Sequence, residues 1–187
     1  MEHNRSYSEK ELNLENLEEG QVRTLMSDEF EKDIAEGKVY HSPRLKANGH
    51  ETFVRLMKEA IQSGNDNSFA EAIRSSNILE EMTPRRTPSG KMTMAKVPFD
   101  AHVTLAEGEF NRCYLRGICR KAIGTGSRIQ VYRAKQVREP RPESEAMLGK
   151  IIDPNSLLSD LRNNVGIDTF LGLPPGPNSG LSGRLIK

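Results

Sequence analysis

Tryptophan is absent from the 187 residues and aromatics make up only 5% of them, so large core anchors are scarce and one modest core is the expectation. Cysteine is limited to Cys113 and Cys119, which rules out a disulfide framework. Long apolar runs are missing too. Nothing approaches the roughly 18 to 20 apolar residues needed to cross a bilayer, so no membrane partner is expected. The start, Met1-Glu2-His3-Asn4-Arg5, lacks the apolar stretch of a signal peptide, and a cytoplasmic location is expected. Net charge is also lacking: 27 Lys+Arg against 26 Asp+Glu leave +1, and no whole-molecule field selects a partner.

Charge is present locally instead. Residues 1–83 hold 10 basic and 17 acidic residues, net −7; residues 84–141 hold 13 and 4, net +9; residues 142–187 hold 4 and 5, net −1. An acidic part therefore precedes a basic middle. Such asymmetry points to an anionic partner, to self-association, or to the two parts neutralising each other within one molecule.

Helical periodicity accounts for most of the N-terminal half. Ser8-x-x-Glu11 and Ser68-x-x-Glu71 fit the capping-box spacing and mark two helix starts. The first stretch, to about Glu19, has only Leu12, Leu14 and Leu17 as apolar residues and is a candidate for disorder. Over 21–36, Val22, Leu25, Met26, Phe30 and Ile34 form one helical stripe, and over 50–63 Phe53, Leu56, Met57, Ala60 and Ile61 form another. Gly64-Asn65-Asp66-Asn67 then turns the chain into a short partner helix, giving a helical hairpin. A DNA-reading helix would carry several basic side chains. This one, over 68–76, has only Arg74.

The segment 84–98 has three prolines and one glycine and cannot be a long helix. It reads as an arm or short hairpin with 91–97 extended, carrying Arg85, Arg86, Lys91 and Lys96. Its Ser89-Gly90-Lys91 is not a phosphate-binding P-loop, because Arg85 stands where the earlier glycine belongs and Met92 where the hydroxyl residue belongs.

Residues 105–123 form an amphipathic helix in which Phe110, Cys113, Tyr114, Leu115, Gly117, Ile118 and Ala122 fill one apolar arc. Arg112, Arg116 and Arg120 fall together opposite, with Glu109 among them. Guanidinium forks about 6 Å apart can grip successive phosphate oxygens, or they can fold onto acidic residues of the N-terminal helices. Gly117 inside the apolar arc predicts a close crossing by another element. On this helix the two cysteines are separated by about 9 Å of rise and about 120° of arc, too far for a bridge. They lack C-x-x-C spacing and a nearby His, so no metal and no cofactor are expected.

Gly124-Thr125-Gly126 supplies a helix C-cap, and 128–137 reads as a β-branched strand whose one face runs from Ile129 and Val131 to Arg133 and Lys135. A metal-dependent nuclease would need a carboxylate where Arg133 stands. Tyr132-Arg133 with Glu143-Ser144-Glu145 resembles the arginine and Glu-x-Glu of mono-ADP-ribosyltransferases, yet a separation of ten residues cannot build a nicotinamide pocket. Asp153-Pro154 starts a short helix through Leu157, Leu158 and Leu161. The tail, rich in Gly and Pro, reads as irregular, with Phe170, Leu171, Leu173 and Leu181 apolar enough to dock as an extended strap.

His3, His41, His50 and His102 fall on different elements, and no catalytic constellation assembles from spacing. The expected fold is α+β: a polar segment over 1–20, one domain over 21–162 with N-terminal helices packed on the central helix and a small sheet, and an extended tail over 163–187. The expected function is non-enzymatic binding of a nucleic-acid backbone or other polyanion through Arg85, Arg86, Arg112, Arg116, Arg120, Arg133 and Lys135. The rival is an assembly subunit, in a homo-oligomer or a larger complex such as a phage particle, held by the acidic part and the C-terminal strap.

Overall fold

The computed structural model describes residues 11–166, 169–174 and 179–187. Within them the fold is α+β, with six helices and two small antiparallel sheets. The Ser8 half of the first capping box lies outside the described residues.

The three N-terminal helices form where the apolar stripes place them: α1 over Val22–Ala35, α2 over Gly49–Ser63 and α3 over Asp66–Ser75. The start of α3 corrects the expected cap. Asn65 is the N-cap, its side chain accepting from the Ser68 backbone N–H at 2.8 Å, while Ser68 Oγ accepts from the Asn65 N–H at 2.9 Å. The box is therefore Asn-x-x-Ser and begins three residues before the serine start read from the sequence.

A ribbon follows, β1 over Met82–Arg86 and β2 over Met92–Lys96, paired antiparallel. Helix α4, Ala101–Thr125, is the axis of the molecule. It is six residues longer than the apolar arc predicts, four at its start and two at its end, and ends on Gly126, whose φ of +70° is the left-handed C-cap that glycine adopts without strain. Helices α1 and α3 pack along it, and α1 crosses it at Gly117. A Cβ added there would lie 2.7 Å from Met26 Cγ and 3.1 Å from the Val22 carbonyl oxygen, so the expected close crossing is present.

The second sheet has the order β4-β3-β5, all antiparallel, with β3 over Arg128–Arg133, β4 over Ile151–Ile152 and β5 over Leu181–Ile186. Strand β3 is shorter than the 128–137 expected. Between these strands lie the single-turn α5, Pro142–Glu145, and α6, Pro154–Asn163, which Asp153 caps by accepting from the Ser156 N–H at 2.8 Å. Ile129 and Val131 turn inward to α4, as alternation requires.

Two expectations are overturned here. The tail is not irregular to its end: β5 pairs along all of β3, from Arg128 opposite Ile186 to Arg133 opposite Leu181. The N-terminal stretch is not helical over 11–19 but a strap of turns whose Leu12, Leu14 and Leu17 enter the same core as the helices. The strap is tied down by backbone and tyrosine bonds. Asn13 donates its N–H to the Ala134 carbonyl at 2.8 Å, Glu15 to Tyr132 Oη at 3.1 Å and Asn16 to Tyr114 Oη at 3.2 Å.

Candidate functional site

The arginine row on α4 faces the protein, not solvent. Arg116 is 2% exposed and donates to Glu29 and Asp33 of α1, with Nε 3.0 Å from Glu29 Oε2. Glu29 also accepts from Arg162 of α6, so a single buried carboxylate ties three helices together. Burial opposes its charge, but Arg162 and Arg116 outweigh that and hold its pKa below the ordinary range. Arg112 donates to the carbonyls of Leu161 and Asn164, at the C-terminal end of α6 where a cation complements the helix dipole. Arg120 reaches Asp28 at 3.2 Å. It is the most accessible of the three.

The two basic residues on and after β3 are also engaged. Arg133 pairs with Glu145 and donates to the Ser179 carbonyl at 3.0 Å, while Lys135 pairs with Glu107. The acidic N-terminal part meets the basic middle through Arg116, Arg120 and Lys121, which pair with Glu29, Asp33, Asp28 and Glu19, whereas Arg133 and Lys135 find acids outside it. Arg112 and Arg116 are buried in that network and are withdrawn as anion contacts, because freeing either would strand buried carboxylates or carbonyls.

Arg85 and Arg86 stand apart from this. Both project from the exposed ribbon, with Lys91 at its tip and Lys96 on its second strand. No acidic residue occurs from Met82 to Val97. None of the four cations makes a salt bridge or side-chain hydrogen bond with a described residue. The tip is a tight turn in which Thr87 and Lys91 exchange backbone and hydroxyl bonds, with Gly90 at φ +82°.

Register fixes the two faces of the ribbon. The pairs Met82–Lys96, Pro84–Met94 and Arg86–Met92 lie on one face, and Thr83–Ala95 and Arg85–Thr93 on the other. Thr83 and Ala95 are half-buried, so the second face leans on the body at its root. The first face is open: Met82, Met92 and Met94 are 44, 63 and 56% exposed. It is an apolar strip bounded by Arg86 and Lys96.

At the foot of the ribbon is an open cavity of about 470 Å³ between the end of α3, residues 77–81 and the start of α4. It is lined by Arg74, Glu80, Glu81, Lys96, Phe99 and His102 together with the apolar Ile73, Leu79 and Val97. Phe99 is 78% exposed at its rim. Sequence spacing identified the cations of the arm but not this convergence, since α3 and α4 approach only through their packing.

The groups weighed for catalysis do not converge. Tyr114 is buried and its hydroxyl meets Asn16 and the Gly183 carbonyl, far along α4 from His102 in the cavity. Cys113 and Cys119 are buried and free, and burial pushes the Cys113 thiol up to about 12. His41 and His50 do come together, with ring centroids 4.6 Å apart. Burial, then His41, lowers the His50 pKa. Among the described residues no group of three or more His, Cys, Asp or Glu could hold a metal ion, and no helix is long and apolar enough to cross a membrane.

No family model, curated protein or solved structure matches this chain.

Proposed function

We propose that the protein is a non-enzymatic binding protein that holds a nucleic-acid backbone on the β1–β2 ribbon. One observation carries this reading. Arg85, Arg86, Lys91 and Lys96 stand exposed within fifteen residues that include no acid, while most of the other predicted cations are committed to internal partners. Arg120, paired with Asp28 toward the far end of α4, is about one-third exposed and lies away from the ribbon. Backbone contacts of this kind bind with little sequence preference and weaken steeply with salt.

A gel-shift titration at low salt tests the reading against a charge-reversed Arg85→Glu/Arg86→Glu variant. Wild-type binding that fades with salt and is absent from the variant is expected. No binding by the wild type at low salt overturns it.

The exposed Met82, Met92 and Met94 favour a second reading, an assembly subunit whose ribbon is covered by a protein neighbour. Light scattering that reports a monomer at every concentration counts against self-assembly.

A further inference from the structure

We infer that the cavity at the foot of the ribbon receives an unpaired nucleobase, so that the nucleic acid held there is single-stranded. The inference rests on the nucleic-acid reading above and adds the class of strand. Three features of the site lead to it.

The first is Phe99. A phenylalanine 78% exposed at the rim of a cavity gains little from water and offers a flat apolar face to a flat partner. Aromatic side chains beside a cationic track are how proteins hold single strands, one base stacking on each ring. In a duplex, bases are already stacked on each other and present only their edges.

The second is the mixed character of the cavity lining. Glu80 and Glu81 line it together with Arg74, Lys96 and His102, so it offers hydrogen-bond acceptors as well as donors. A nucleobase carries both N–H donors and ring acceptors, and its flat apolar face suits Ile73, Leu79 and Val97 of the same lining.

The third is the position of the cations. Lys96 belongs both to the cavity wall and to the ribbon, and it shares the ribbon's open face with Arg86, with Lys91 beyond at the tip and Arg85 on the opposite face. A strand with one base in the cavity would run its phosphates up this track. The apolar strip of Met82, Met92 and Met94 lies between the cations, where neighbouring bases have ring faces to cover.

The probe is a single strand of about 15 nucleotides carrying 2-aminopurine, compared with the same strand in a duplex, at low salt. Tighter binding of the single strand is expected, with quenching of the 2-aminopurine fluorescence by stacking. Phe99→Ala is expected to weaken single-strand binding by about tenfold and to abolish the quenching, while Phe99→Trp retains both. Phe99 is exposed, so its replacement leaves the fold in place.

Equal affinity of Phe99→Ala and wild type, or a duplex bound as tightly as the single strand, overturns the inference. If Arg85→Glu/Arg86→Glu still abolishes binding in that case, the nucleic-acid reading survives without it. If no strand binds the wild type at low salt, both fall together.

Discussion

Arg116 of α4 and Glu29 of α1 meet at 2.8 Å with side chains 3% and 2% exposed. The most conspicuous cations in the sequence thus include one that is part of the core. Burial alone would lower the Arg116 pKa, but its bonds and charge interactions with Asp33 and Glu29 outweigh this and raise it. The pair is a charged joint between helices, and it withdraws Arg116 from the surface, whereas the ribbon cations make no salt bridge with a described residue.

Removing Arg116 should therefore destabilise the fold far more than removing its neighbour. Arg116→Ala leaves Glu29 and Asp33 without their main partner, and breaking a buried pair in this way costs about 3 to 5 kcal/mol. Arg120 is about one-third exposed, and Arg120→Ala should cost under about 1 kcal/mol. Urea unfolding of the two variants measures the difference. Equal midpoints would show that the Arg116 network adds no stability.

Two glycines on α4 should respond with opposite sign. At Gly117 an added Cβ meets Met26 and the backbone of Val22, whereas at Gly108 it meets nothing within 4 Å. Gly108→Ala should raise stability by about 0.5 to 1 kcal/mol through helix propensity. Gly117→Val forces α1 away and should lower it by about 1 to 3 kcal/mol. Thermal unfolding followed by circular dichroism reads both, and stabilisation by Gly117→Val would contradict the crossing described.

Neither cysteine should react in the native state. Burial raises both thiol pKa values, and each side chain lies in the core beneath α1 or α6. A thiol reagent such as Ellman's should modify none of them at pH 8 over minutes and both after denaturation. Fast modification of one in the native protein would mean that α4 is accessible on that side.

The parts of this fold legible in the sequence are those held by local rules. The stripe of α1, the arc of α4 and the Asp153 cap follow from spacing alone, because neighbours three and four apart share a helix face. What escaped was set by long-range partners. Arg116 and Glu29 are 87 residues apart, so the arginine row gave no sign of which side it faced. Strand β5 hides in a Gly-rich segment because Gly183 lies where a Cβ would be 2.7 Å from Ile129 and 3.0 Å from Leu115. The strap leucines fit neither helical nor strand period over the whole stretch, stepping by two and then by three, because 12–14 is irregular and only 15–18 is a turn. At the candidate site, the arm and its cations were readable. The cavity was not, since Phe99 and Arg74 meet only when α3 packs on α4.

Asp66, the first residue of α3, is 1% exposed and accepts the Leu12 N–H on both carboxylate oxygens at 3.2 and 3.1 Å. Burial raises its pKa to about 7, with Glu107 adding to the rise and the Leu12 bond and Lys135 opposing it. An unfolded aspartate loses its proton near pH 4, while the folded one keeps it to about 7. Between those values the native state binds more protons than the unfolded state, so stability must fall as pH rises through that window. The loss attributable to Asp66 is up to about 4 kcal/mol, and it arises from burying the charge, since the Leu12 N–H bond itself favours the ionised carboxylate. Asp66→Asn keeps an acceptor for Leu12 and removes the titration. Urea midpoints measured from pH 4 to pH 8 should decline more steeply for the wild type than for Asp66→Asn. Parallel profiles would show that Asp66 is ionised throughout the range in the folded protein.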